Sequence, residues 1–493
     1  MARTLALAAA LVLSGLLAPS TVAATAQPPT AWAVCGRIAA RYPTPPPGAV
    51  VVRPIDEEVQ RLTAERPSGT TFWLAPGTHT LGTDQYGQVI PKNGNVYLGA
   101  PGAVLDGRGR NRYAFTGYAT NVVLRNLTVR HFVAPRDEGV VNHDSGDGWV
   151  IERNTIENNK GAGLMAGAHQ RVRGNCLRNN GQYGMNAYKD GPLTDMVLVG
   201  NEISGNNVDD WETVTPGCGC TGGVKFWALD GAVVRDNWVH GNRGPGLWAD
   251  TNNNNFLIEH NLFEYNDAEA LFYEISYNAV VRDNVFRANT VVMGRRFAGS
   301  GDTFPVGTIY ISESGGEPRV AARTNRIEIH DNTFVNNWSG ITLWENADRF
   351  CNSPANTSFG TCTKLVANPD RCVRPRIARA PLYHDCRWKT QRVLIHHNRF
   401  TLDPAAIGCD RGCGRMAVLS NWGTYPRWSP YQGQVVQQAI TFKQGNLWHH
   451  NTYVGPWTFT PFDTSRVLNA AAWQAAPYYQ DVCSAFTLLP TTC

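Results

Sequence analysis

Two lines of similar form, GLWAD from Gly246 and ALFYE from Ala270, hold a carboxylate at matching places: Asp250 in the first and Glu274 in the second. If they lie on neighbouring parallel strands in register, their backbones are about 4.8 Å apart and their carboxyl groups about 5 to 6 Å. Retaining cleavage of a glycosidic bond uses a pair at about 5 to 5.5 Å, one group attacking the anomeric carbon while the other protonates the leaving oxygen. An inverting pair stands about 6.5 to 9.5 Å apart, with a water between. The register therefore predicts retention. Two stacked carboxylates repel, which raises one pKa and supplies a proton donor. Lys225, one line earlier on the same face, would keep the other ionised.

The lines GMNAY from Gly184, GVKFW from Gly223 and GITLW from Gly340 share this form. Strand alternation sends Leu247, Ala249, Leu271 and Tyr273 to the interior. The other side then collects Asn186, Tyr188, Lys225, Trp227, Trp248, Phe272 and, further along, Trp344. Aromatic faces stack on the apolar faces of sugar rings while polar neighbours take the hydroxyls, so this wall is expected to bind a polysaccharide or oligosaccharide. The stretch NNVDDWETVTPGCGCTGG, with Asp209, Asp210, Trp211 and Glu212, is expected to form a wall of the cleft. Glu313 and Glu345 stand out of the Asp250 register and would bind sugar hydroxyls at most.

Two other readings use the same residues. In a lyase, Glu269, Glu274, Asn252 and Asp267 would hold Ca²⁺ against a uronate carboxylate, with Lys225, Arg295 or Arg296 as base; the hydrolase reading requires no cofactor. A non-catalytic β-helix that only adheres to glycans would need the aromatic wall and not the paired acids. His143, His240 and the pairs His396-His397 and His449-His450 invite a zinc site. Each pair is expected to alternate faces on a strand and lacks Cys or carboxylate at ligand spacing, which disfavours it. No serine nucleophile elbow, phosphate loop or dinucleotide fingerprint occurs.

The elements that must position these residues are visible as a repeat. A line of the form apolar-apolar-x-x-Asn-x-apolar recurs, anchored on Asn126, Asn154, Asn175, Asn201, Asn237, Asn261, Asn284, Asn332, Asn398 and Asn451. A period of little over 20 residues, short β-branched strands and Gly or Asn at the turns predict an all-β, single-stranded parallel β-helix of about ten coils. Stacked asparagine amides would bond from coil to coil, and the residues two beyond each Asn would align in an interior row. Leucine at fixed spacing, or paired hairpins, would instead mark a leucine-rich repeat or a propeller, and both are missing.

With these lines the chain resembles the right-handed parallel β-helix proteins of the pectate-lyase-like superfamily over roughly residues 100–345, and again near 393–455. The Asp250 and Glu274 lines are similar to those of β-helical glycoside hydrolases of the β-xylosidase type. That resemblance implies Asp250 as nucleophile and Glu274 as acid/base. The Trp that often follows the family's Asp is Thr251 here.

Residues 1–26 read as a secretory signal, 27–100 as an N-terminal cap and first coil, 101–455 as the β-helix and 456–493 as a C-terminal cap. Within the helix, residues 346–392 break the rhythm and carry Cys351, Cys362, Cys372 and Cys386, a disulfide-tied insertion. The twelve Cys suit an exported chain, with Cys218–Cys220, Cys409–Cys413 and Cys483–Cys493 paired by locality. A net charge of +4 with 17% charged residues argues against a nucleic-acid or membrane-surface partner. A secreted monomer is expected, and past the signal no run of apolar residues is long enough to span a membrane.

Overall fold

The computed structural model describes residues 32–356 and 361–488; the expected signal sequence and Cys493 lie outside them. Three parallel sheets of 13, 13 and 10 strands wind into a β-helix. From the coil that contains Gly139–Val141 to the one that contains Thr458–Phe462, each coil contributes one strand of three to seven residues to each sheet, and the earlier coils supply only the first two sheets. The stack runs beyond the asparagine lines: Val50–Val52, Thr71–Leu74 and Val96–Gly99 already pair in parallel register. Those early coils turn on Ala-Pro instead of Asn, at Ala75-Pro76 and Ala100-Pro101, and so escape the pattern. No helix among the described residues is long and apolar enough to cross a membrane.

The asparagines form a continuous ladder. Each amide Nδ2 donates to the Oδ1 of the next, from Asn154 to Asn175 (3.1 Å) and onward to Asn398 and Asn451 (3.2 Å). Asn126 stands one residue out of it: Leu127 donates its backbone N–H to Asn154 Oδ1, and Asn126 takes the left-handed turn position with φ 56°. That position, one before the ladder residue, is where the positive φ lies in later coils too, at Asp283, Asp331, His397 and His450. A second ladder, Asn159, Asn180, Asn206, Asn242, Asn266, Asn289 and Asn337, follows five residues behind the first. Both are buried, so their amides are satisfied by one another and by backbone, except that the last, Asn451, donates to Asp481 Oδ1 at 3.0 Å.

Two residues beyond the ladder, the expected interior row is filled, and its later members stack ring on ring: Phe263, Phe286, Phe334, Phe400 and Tyr453 at 4.4 to 5.1 Å. Leu247, Ala249, Leu271 and Tyr273 belong to the same core. At the N-terminal end the helix Glu58–Glu65 packs Val59 and Leu62 onto it. Residues 34–39 run along the outside instead: Val34 and Cys35 donate to Glu202 Oε2, and Cys35 is bonded to Cys176. At the other end Trp473 stacks on Phe459 at 5.2 Å, while Tyr479 projects outward and takes no part in the cap. The local pairings Cys218–Cys220 and Cys409–Cys413 are present, and the insertion is tied by Cys351–Cys362 and Cys372–Cys386 around its own small core.

Candidate active site

Asp250 and Glu274 end the adjacent strands Leu247–Asp250 and Leu271–Glu274. Trp248 lies opposite Phe272 and Ala249 opposite Tyr273, and this register continues to set Asp250 beside Glu274. Both acids line one cleft of about 880 Å³, together with Lys225, Trp227, Trp248 and Phe272. Its sides come from inserted segments: the loop 207–221 contributes Asn207, Asp210 and Glu212, and the helix Val291–Ser300 contributes Met293, Arg296 and Phe297.

The two acids are held differently. Asp250 Oδ2 lies 2.9 Å from Lys225 Nζ, and Oδ1 accepts from Thr251 Oγ1 at 2.8 Å. Lys225 is itself fixed, donating to the Gly219 carbonyl at 2.6 Å with its ammonium 4.1 Å from the centre of the Trp248 ring. Glu274 accepts from Trp248 Nε1 at 3.0 Å on one oxygen and from Arg349 Nη1 at 2.5 Å on the other. Its pKa is nonetheless raised: burial is the largest influence, Arg349 opposes it, and the charge on Asp250 reinforces it. Glu269, a third acid in the cleft, is pushed up to about 7, first by burial and then by the charge on Glu274.

Arg349 is the member that no strand pattern announces. It follows the strand Ile341–Asn346, 75 positions from Glu274, inside the Cys-rich insertion. Its guanidinium also lies 3.5 Å from Glu313, which is fully buried, accepts from Ser312 Oγ and the Asn346 N–H, and has its pKa pushed up to about 7 by burial. Glu345 is likewise internal, paired with Arg387 at 2.7 Å. Neither carboxylate is open to a sugar hydroxyl, because the insertion closes over both.

The wall is shorter than the strand pattern implies. Asn186 is buried, Tyr188 is exposed and meets Trp227 edge-on at 6.2 Å, and neither lines the cleft. Trp344 also lies outside it, with Phe304 from the segment after the helix Val291–Ser300 packed against its edge at 5.9 Å. Phe272 sits in a stack, Trp248 at 5.0 Å on one side and Tyr310 at 4.9 Å on the other. Of the loop residues, Asp210 and Glu212 reach the cleft, Trp211 lies under the Arg136 guanidinium, and Asp209 pairs with Lys160.

Of the four expected Ca²⁺ ligands, Asp267, Glu269 and Glu274 line the cleft, while Asn252 does not. Asn252 donates to the Cys362 carbonyl at 2.7 Å and accepts from Trp388 Nε1 at 3.0 Å, which commits its amide to the insertion. Arg295 donates to the Ile407 carbonyl at 2.6 Å, away from the cleft, while Arg296 lines it. The histidine pairs also depart from expectation. His397 and His450 take left-handed backbone, φ 54° each, so the strand ends and the second ring turns back beside the first. Nδ1 of His396 then stands 2.8 Å from Nδ1 of His397, and the two Nδ1 atoms of His449 and His450 are 2.9 Å apart.

Against known proteins, the family described as right-handed β-helix region matches residues 138–324. No curated protein sequence matches this chain. Among solved structures, the catalytic unit of the GH87 α-1,3-glucanase from Streptomyces thermodiastaticus strain HF3-3 is 12% identical, with a TM-score of 0.49 over 91% of this chain and 69% of that one. The A-module of Azotobacter vinelandii mannuronan C-5 epimerase AlgE4 is 13% identical, with a TM-score of 0.34 over 59% of this chain and 86% of that one. These likenesses assign no residue here.

Proposed function

We propose that the chain is an exported glycoside hydrolase that acts on a polysaccharide or oligosaccharide with retention of configuration. The observation that carries this reading is the shared cleft in which Asp250 and Glu274 meet rung on rung, one ion-paired to Lys225 and the other biased toward its protonated form. In the first step an Asp250 oxygen bonds to the anomeric carbon. The glycosidic C–O bond breaks with its electron pair on the leaving oxygen, and Glu274 gives that oxygen its proton. In the second step ionised Glu274 takes a proton from water, whose oxygen attacks the anomeric carbon and releases Asp250. Trp227, Trp248 and Phe272 supply apolar surface for sugar rings, and the five disulfides of the described residues fit an oxidising compartment.

The test is release of reducing sugar from a panel of plant and microbial polysaccharides. Activity in the parent protein that is lost in both Asp250→Asn and Glu274→Gln supports the reading. Unsaturated products would replace it with β-elimination, and sugar binding without turnover would replace it with an adhesin.

A further inference from the structure

The histidine pairs belong to a larger array on the outer face of the first sheet, where the last three asparagine-ladder turns stack. In successive coils the residue ending the strand and the turn residue after it are His330-Asp331, His396-His397 and His449-His450. The first members form one column, His330 on His396 at 5.0 Å and His396 on His449 at 4.9 Å, each pair of rings within 3° of parallel. His397 and His450 form a second column at 5.2 Å and 11°. Across the columns the facing atoms meet on every rung: His330 Nδ1 to Asp331 Oδ2 at 2.7 Å, His396 Nδ1 to His397 Nδ1 at 2.8 Å, and His449 Nδ1 to His450 Nδ1 at 2.9 Å.

A hydrogen bond between two neutral imidazoles satisfies one such rung, yet three in succession, five imidazoles and a carboxylate with donor atoms turned inward, exceed what turn formation requires. Asp283 holds the same left-handed place one coil earlier without a histidine beside it. Two ligands of one metal at bonds of about 2.0 to 2.1 Å lie about 2.8 to 3.0 Å apart when they subtend a right angle, and about 3.3 Å or more in a tetrahedron. The rung distances, those of an N–H···N hydrogen bond in the metal-free chain, already leave the two nitrogens at the spacing a right angle requires, the geometry Cu²⁺ and Ni²⁺ prefer over Zn²⁺. We propose that this ladder is a transition-metal site, in which each histidine rung clamps Cu²⁺ or Ni²⁺ through two Nδ1 atoms. The array stands on the first sheet and shares no residue with the cleft. The histidine donor atoms meet in pairs; the group of three potential ligands that converges among the described residues, Cys351, Cys362 and Cys372, is already consumed by disulfides.

The experiment uses the untagged mature chain, titrated calorimetrically with NiCl₂ and examined with one equivalent of Cu²⁺ by electron paramagnetic resonance. The comparison is the double variant His397→Asn, His450→Asn, because Asn tolerates the left-handed turn and removes both outer imidazoles. The expected result is Ni²⁺ binding at least tenfold tighter in the parent than in the variant, with nitrogen hyperfine splitting on Cu²⁺ that the variant loses. Equal Ni²⁺ affinity in a variant with unchanged circular dichroism would overturn the proposal. So would a parent Cu²⁺ spectrum without nitrogen splitting, a result that does not depend on the variant's folding.

Discussion

Glu274 is pulled in two directions, and the balance can be moved one residue at a time. Burial and the Asp250 charge favour its proton, while Arg349 favours the carboxylate. Arg349→Met removes the opposing influence, so the pKa of Glu274 rises further. The alkaline limb of kcat/KM, where the acid has lost its proton, is then expected to move to higher pH; a limb that stays or moves down would contradict this role for Arg349. Trp248→Phe keeps the ring stack and deletes the bond to Glu274 Oε2, with an expected loss of about tenfold or more in kcat. Glu269 has a separate consequence for stability. Its carboxyl is ordinarily half ionised near 4.5, and in the fold only near about 7. Between those values the native state keeps a proton that the unfolded chain has lost, so stability falls as pH rises through this window, by at most about 3 kcal/mol. Glu269→Gln should flatten that decline in melting temperatures taken from about pH 4 to about pH 8. The matching places of Asp250, Glu274 and Lys225 were legible because strand register fixes them. Arg349 was not, since it arrives from an irregular insertion that no periodicity governs.

At the level of elements, the ladder asparagines carry the turn between the first two sheets. Asn261 donates to Asn284, to the Val234 carbonyl and to the Glu259 carbonyl, and accepts from the backbone and side chain of Asn237. Asn261→Ala orphans several buried groups at once and is expected to cost about 2 to 4 kcal/mol in chemical denaturation; a loss below about 1 kcal/mol would mean that water replaces the amide. The helix Val291–Ser300 is seated through Gly294, where an added Cβ would overlap the Trp338 indole. Gly294→Ala should therefore displace Phe297 and Arg296 from the cleft and raise KM more than it lowers kcat, read from steady-state kinetics. The asparagine spacing exposed the coil but misplaced Asn126 by one residue, because a turn of adjacent polar residues offers two candidates and only the backbone angle separates them. The histidine pairs failed for the same reason: alternation holds within a strand and stops at a left-handed residue.

Across the whole molecule, the stack is a linear array whose ends and sides need separate protection. Helix Glu58–Glu65 closes one end and Trp473 the other, while residues 34–39 are strapped along the side by Cys35–Cys176, a bond that spans 141 positions. Cys35→Ser frees that closure and should lower stability by up to about 5 kcal/mol in the chain-entropy account, seen as a lower melting temperature that reductant does not depress further at this site. The distant pairing could not be read from sequence, because locality is the only guide there and this bond ignores it. The proposed hydrolysis rests on the contact between two rungs, where Asp250 and Glu274 share a cleft. The most direct test is the anomeric configuration of the first product, followed by proton NMR during hydrolysis of a responsive polysaccharide. The account predicts a product of the same configuration as the substrate bond, absent with Glu274→Gln; an inverted product, or undiminished turnover in that variant, would contradict it.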